Sequence, residues 1–321
     1  MHLKKKILSF FNLYSYIFIN ITNELLRHPF IYLMSSTTVS TLALTSQIVN
    51  MYLTTTMLAI GVLGGLLNVI VFLSLKTFRD SPCAFYLTVM SFTNIGQLFT
   101  TFLTRIVLYR TGISWTSISE PFCKFRWFFI DVCALVSFTC LCLATIDQFL
   151  ATSSKIKWQQ YSNIKLSRYL CLIFIIVWML ITSPIILFYH HVRSSTTGQM
   201  TCALTNPEYQ IYITYVYLLV LSGVLPIFIT MLFGLLAYRN IRQIPYRTVP
   251  LVRRELDKQL TTMVLIQVIL NFTNITPSTV ISVYTSTAAA SKDALINAIV
   301  QLISQISIFL YYLYFAVRRN S

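Results

Sequence analysis

Charge is what this sequence has least of. Only 10 % of its 321 residues are Asp, Glu, Lys or Arg, against about 25 % in soluble domains. A chain so poor in charge cannot cover a water-facing surface, so a fully soluble enzyme and a disordered chain are both excluded. Glycine and proline are scarce too, at 8 and 9, which fits helices and not a barrel with many turns. The seven cysteines have neither metal-ligand spacing nor the density of a secreted disulfide scaffold. Four histidines and nine acids do not cluster, so no hydrolase constellation is visible, and no metal or cofactor is expected. What fills the chain instead is apolar: 56 % hydrophobic residues and a mean hydropathy of +0.71. The solvent is lipid.

Seven apolar runs can be marked, at 51–75, 83–104, 125–150, 169–189, 211–238, 260–284 and 294–317. Each reaches roughly the 20 residues that cross a bilayer. Lipid leaves an isolated segment few ways to satisfy its backbone other than a helix. The expected fold is therefore an all-α membrane protein, a bundle of seven transmembrane helices over 51–317. No repeated halves with broken helices are visible, which argues against a secondary transporter, and a ligand-gated channel ranks equally low.

Loop charge predicts the orientation. One set of loops carries Lys76, Arg79, Lys155, Lys157, Lys165, Arg168, Arg239, Arg242, Arg247, Arg253, Arg254, Lys258, Arg318 and Arg319. The opposite set carries only Arg105, Arg110, Lys124, Arg126, Arg193 and Lys292. Cytoplasmic loops collect Lys and Arg, which places the amino terminus outside and a very short tail, 318–321, inside. The same rule accounts for the formal charge of +15, so no nucleic-acid partner is expected. Residues 1–50 form an amino-terminal extension. Within 1–33, Lys4–Lys6 and the apolar run behind them are compatible with a signal sequence, a re-entrant segment or a spurious start upstream of Met34. The sequon at Asn20 matters only if that segment is kept and translocated.

Several positions together carry a resemblance. Asn68 follows Gly64-Gly65-Leu66-Leu67 in the first run. Cys123 precedes the third run and Cys202 lies between the fourth and fifth. Asp147-Gln148-Phe149 ends the third, and Trp178 stands within the fourth. Pro226 and Pro277 interrupt the fifth and sixth, and Ser307-Ile308-Phe309-Leu310-Tyr311 falls in the seventh. Over about 50–321 the chain resembles the rhodopsin-like G-protein-coupled receptors, in a divergent form similar to invertebrate orphan receptors. The resemblance implies a disulfide between Cys123 and Cys202, a polar anchor at Asn68, and hinges at Pro226 and Pro277. It implies coupling residues at Asp147, Gln148, Phe149 and Tyr311, with Arg253 and Arg254 in the third basic loop. It also implies an extracellular ligand, a heterotrimeric G protein and a plasma-membrane location.

The departures are informative. Gln148 stands where the family has arginine, so no ionic lock can run through it. Altered coupling is expected, with a ligand-binding decoy as the alternative. Asn94, beside Ser137, takes the place of the family's sodium-holding carboxylate, which implies weak sodium binding or none. Ser307 replaces the asparagine of the seventh-helix motif. Ile275 replaces the aromatic toggle before Pro277.

An acid within a span is costly, and so a functional candidate. Asp131 lies eight residues after Cys123, one place beyond the aspartate of amine receptors. One position turns a helix by about 100°, so Asp131 faces either the ligand or a neighbouring helix. Asp131, Ile275 and Tyr284 make up the expected pocket. With no amine signature in register, a peptide is favoured as ligand, and a small chemosensory molecule is next. Arg105, Arg126, His190 and His191 near the mouth read as interfacial groups that keep their polar ends wet.

Overall fold

The computed structural model describes residues 36–74, 76–112, 114–153, 155–193, 200–242, 251–287, 303–304, 306–309 and 311–312. Side chains are described from 51 onward within these segments, except at 76, 77, 109, 156, 242, 251–258 and 282–287.

Six long helical elements follow one another. They are α1 (Ser36–Ser74), α2 (Pro82–Thr111), α3 (Glu120–Thr152), α4 (Ile164–Thr182), α5 (Leu225–Arg242) and α6 (Leu251–Thr287). The described residues of the seventh run, at 303–304, 306–309 and 311–312, are helical as well. Most helices outrun the apolar stretches that reveal them, because polar end turns extend each one beyond the lipid-compatible core. Local chemistry marks the ends. Ser119 accepts from the Phe122 amide at the start of α3, and Asn163 from the Lys165 amide at the start of α4. Gly112, with φ 68°, closes α2 in the left-handed conformation that glycine adopts freely.

Two of the predicted runs need correction. The fourth is interrupted: its regular α-helix ends at Thr182, although the apolar spanning segment continues to Phe188. Pro184 follows, then one short turn at Ile185–Phe188, and Tyr189 opens a strand. The fifth is not an unbroken α-helix: a turn at Pro207–Ile211 leads into thirteen residues of π-helix, Tyr212–Val224. The wider turn precedes Pro226, whose ring would crowd the carbonyl one α-turn back. The Leu225 amide duly reaches back five residues to the Val220 carbonyl.

Between α4 and the π-helix, strands β1 (Tyr189–Arg193) and β2 (Met200–Leu204) pair antiparallel, with His191 opposite Cys202 and His190 opposite Ala203. Cys202, expected in a loop, thus sits on a strand. This hairpin caps one end of the bundle, and the α3–α4 corner marks the other, here called the far end.

Among the described residues, five helical segments are long and apolar enough to cross a membrane: Met51–Ser74, Glu120–Thr152, Ile164–Phe188, Pro207–Ile241 and Gln259–Ile281. Helix α2 is not among them, because it carries its polarity inside the bundle. Thr88 and Ser91 turn their hydroxyls onto the carbonyls of Ala84 and Leu87. Thr100 and Thr104 do the same further along, so these hydroxyls need no outside partner. Helix α3 is the axle: Phe138, Leu141 and Ala144 are buried together with Leu87 and Leu98 of α2 and Leu260, Val264 and Ile275 of α6. Helix α4 lies outermost, with Tyr169 and Leu180 each 68 % exposed, as a lipid-facing surface should be.

Candidate functional site

At the hairpin end, a disulfide joins Cys123 to Cys202 with their Cα atoms 5.9 Å apart. It fixes β2 to the first turn of α3. Noncovalent contacts gather around it. Trp127 stacks on Tyr189 with ring centroids 5.4 Å apart, and the Arg126 guanidinium lies over Trp127 at 5.2 Å. Arg126 also donates through Nε to Thr104 of α2, at 3.1 Å. Glu120 at the start of α3 receives Lys124 at 2.8 Å and His190 of β1 at 3.0 Å. Arg126, His190 and His191, read from sequence as interfacial, thus each hold a specific partner; His191 Nε2 lies 2.7 Å from the Thr116 carbonyl.

Two turns below the disulfide, Asp131 is buried. Its Oδ1 accepts the Tyr217 hydroxyl proton at 2.9 Å. Of the two orientations left open by sequence, the one toward a neighbouring helix is the one found, and the neighbour is the π-helix. A cavity of about 550 Å³ opens nearby between the end of α4 and the π-helix, with Leu180, Pro184, Phe188, Glu208, Tyr209 and Tyr212 on its walls. Ile275, placed in the pocket by sequence, lies fully buried in the apolar core instead. Tyr284 falls on α6, where its side chain lies outside the described residues.

The middle of the bundle is polar but neutral. The Ser137 hydroxyl donates to Asn94 Oδ1 at 2.6 Å, the neighbourhood expected from sequence. Trp178 Nε1 donates to the Thr139 hydroxyl at 2.9 Å, tying α4 to α3. Asn68 and Ser307 are buried. So are Gln97, Asn271 and Asn274, which the sequence reading did not assign to the site; each is an amide inside an apolar run, and that was the available signal. Pro226 is buried, and its carbonyl accepts from the Thr230 hydroxyl at 2.7 Å. Pro277 lies inside α6. Its missing N–H removes one backbone bond, and Thr276 and Thr279 beside it donate to Phe272 and Ile275 carbonyls at 2.7 and 3.0 Å.

At the far end, Asp147 accepts the Ser162 hydroxyl at 2.7 Å, so the α3–α4 corner supplies a partner for this acid. Gln148 is 1 % exposed. Its Oε1 accepts the Thr261 hydroxyl of α6 at 2.7 Å. A neutral hydrogen bond therefore spans the two helices at the position where no ionic lock is possible. Phe149 meets Trp158 edge-on at 5.3 Å and Phe233 of α5 at 5.6 Å. Tyr311 contacts Phe138 at 6.5 Å, while its neighbour Tyr312 receives the Thr101 hydroxyl at 3.3 Å. Ser162, Thr261 and Tyr312 are participants that sequence reading missed. Thr261 was the most findable, since Thr261-Thr262 interrupts the apolar start of the sixth run. Arg253 and Arg254 lie on α6 with side chains outside the described residues.

No match was found among curated proteins. Residues 64–316 match the family model described as 7 transmembrane receptor (rhodopsin family). That span takes in the disulfide, the Asn94–Ser137 pair, the Asp147–Gln148 step and both intrahelical prolines. With the family shown over most of its length, this chain belongs to the rhodopsin family of seven-transmembrane receptors and folds as a seven-helix membrane bundle.

Proposed function

We propose that this protein is a plasma-membrane receptor that binds a ligand at the hairpin end, on the extracellular side, and passes the signal to a heterotrimeric G protein at the far end. The observation that carries the reading is the bond from Thr261 to Gln148. It closes α6 onto α3 without charge, and it must break when α6, weakened at Pro277, swings outward. Interhelical hydrogen bonds in membranes are worth about 0.6 kcal/mol on average, so a modest difference in ligand affinity between the two states suffices to open this one. Opening uncovers Asp147, Gln148 and Phe149 on α3 and frees the cleft beside Tyr311. The basic residues at this end, Arg253 and Arg254 in the first turn of α6 among them, attract the anionic inner leaflet.

A peptide is the favoured ligand. The one buried acid near the cavity is already engaged by Tyr217, so Asp131 is not offered as a bare counter-ion for a small amine. Asp131 serves instead to set the position of the π-helix against α3, and a ligand reaches it by displacing Tyr217. The neutral Asn94–Ser137 pair supports a receptor whose ligand affinity is insensitive to sodium.

The test is G-protein dissociation in cells, read by energy transfer against a panel of peptides and metabolites, with the natural chain and a Gln148→Arg variant side by side. A ligand-dependent signal from the natural chain is the expected result. Silence from the natural chain together with a signal from the variant would replace this reading with that of a ligand-binding receptor that does not couple.

A further inference from the structure

The cavity between α4 and the π-helix brings three kinds of surface together. Spanning segment Ile164–Phe188 ends beside it and Pro207–Ile241 begins there, so its volume of about 550 Å³ lies where lipid meets water on the hairpin side. One wall is apolar: Leu180, Ile181, Pro184 and Phe188. Leu180 and Ile181 are exposed, so this wall opens sideways toward acyl chains. A second wall is aromatic, with Phe188, Tyr209 and Tyr212 in a row, their ring centroids 4.8 and 5.4 Å apart. The polar edge is Glu208.

We infer that this cavity is a membrane-facing site for a single-chain amphiphile with an ammonium head group. The head stands at Glu208 beside the aromatic wall, whose π-electrons attract cations, and the chain lies along Leu180, Ile181 and Pro184. Glu208 is exposed, and among the described residues no side chain pairs with its carboxylate. Its backbone is nevertheless fixed. Asn206 Oδ1 accepts the Glu208 and Tyr209 amides at 2.9 and 3.0 Å, which holds the acid and the neighbouring ring in place before anything binds. The volume falls within the range of roughly 300–1,000 Å³ that small-molecule sites occupy.

Charge and shape select the occupant. A fatty acid would bring a second carboxylate to Glu208, and a phospholipid would bring its phosphate there; like charges repel. A long-chain alcohol would cover the apolar wall but leave the acid without a counter-ion. A small soluble amine would meet the acid but cover none of that wall, forgoing the burial that drives apolar binding. A chain with a positively charged head does both. The site is separate from the Asp131–Tyr217 pair, neither of whose members lines it, so it adds a second site to the peptide site proposed above and does not depend on it.

The experiment uses the full chain in phosphatidylcholine nanodiscs. The probe is hexadecylamine with a photoreactive diazirine in its chain, and the matched alcohol and fatty acid are the comparators. Labelled positions are read by peptide mass spectrometry as the mole fraction of probe in the bilayer is raised. The expected result is saturable labelling of 180–188 and 207–212 by the amine. The alcohol and the acid should label these residues no more than they label the lipid-facing surface around Tyr169, at the other end of α4. Glu208→Gln should raise the half-saturating mole fraction of amine roughly two- to fivefold, as for the loss of an exposed ion pair. Tyr212→Leu, which keeps the apolar volume and removes the ring, should raise it by about the same factor. Labelling by the alcohol should be the same in both variants as in the natural chain, which shows that the fold and the apolar wall are intact. Equal labelling by all three probes, or amine labelling that Glu208→Gln leaves unchanged, would overturn the inference. Displacement of the amine by added phosphatidylethanolamine would overturn it too, because the occupant would then be a bilayer phospholipid.

Discussion

The two ends of the bundle are fastened differently. At the hairpin end, α3 is joined to its neighbours by a covalent bond, a Glu120 carboxylate that meets His190 of β1, and a stacked Trp127–Tyr189 pair with Arg126 above it. At the far end, α3 and α6 share apolar packing around Leu141, Ala144, Leu260 and Val264, and the polar link described between them is the neutral hydrogen bond from Thr261 to Gln148. The contrast teaches which end is built to stay and which to move. A receptor that must hold a binding mouth in shape while opening a cleft below needs strong fastenings at one end and weak ones at the other. A weak bond at the moving end also means that small differences in ligand affinity have a large effect on the population of open receptor.

The largest effect is expected from removing the covalent fastening. Cys123→Ser frees a bridge between residues 79 apart in sequence, and loop entropy for such a closure is worth roughly 4 kcal/mol. Surface expression and thermal stability in detergent should both fall sharply. Near-natural values for both would show that the noncovalent contacts hold the mouth without it.

Next comes the packing that connects the ends. A Cβ on Gly65 would stand 2.6 Å from Ile95 Cγ1, so Gly65→Val should overpack α1 against α2 and cost about 1–3 kcal/mol, read as a lowered melting temperature. Gly112→Ala, where no atom lies within 4 Å of the added carbon but φ is 68°, should cost about 1 kcal/mol from backbone conformation alone. The two glycines together separate crowding from strain.

A smaller effect is expected at the buried acid. Tyr217→Phe strands Asp131 without its described donor. The loss should be roughly 1–3 kcal/mol, and Asp131→Asn in the same chain should recover part of it. Additive losses in that double-mutant cycle would mean that the pair does not interact.

The smallest change in stability, and the most informative for function, belongs to the far end. Thr261→Val removes the neutral bond at about 0.6 kcal/mol. That corresponds to roughly a threefold shift in the open population, measured as raised basal G-protein dissociation. An unchanged basal signal would make the bond a packing detail.

The fold was legible because lipid writes long apolar runs, and the family was legible from the positions on which the resemblance rested, Asn68, Cys123, Cys202, Asp147 and Pro277, all of which lie within the matched span 64–316. The π-helix was not legible. Tyr212–Val224 is apolar at nearly every position, and such a run has no periodic face to distinguish a wider turn from an α-turn. The end of α4 was hidden for the same reason, since 183–189 continues apolar into the strand. In the site, residues that depart from the pattern were easy to flag, but their partners were not. Gln148 announced that an ionic lock was absent. That Thr261 would replace it required the angle between two helices, which no spacing along one chain encodes. Asp131 shows the complementary limit: spacing flagged the acid, but its partner Tyr217 lies on another helix, which spacing along the chain does not encode.

The central claim is that α6 leaves α3 when the bond between Gln148 and Thr261 is broken. The most direct measurement is the far-end distance between spin labels on Lys157→Cys and Gln259→Cys, both exposed positions, in nanodiscs with and without purified nucleotide-free G protein. The account predicts a second, longer distance that is minor in the otherwise natural chain, larger in Thr261→Val, and dominant in both when G protein is added. One unchanged distance in every case would contradict it.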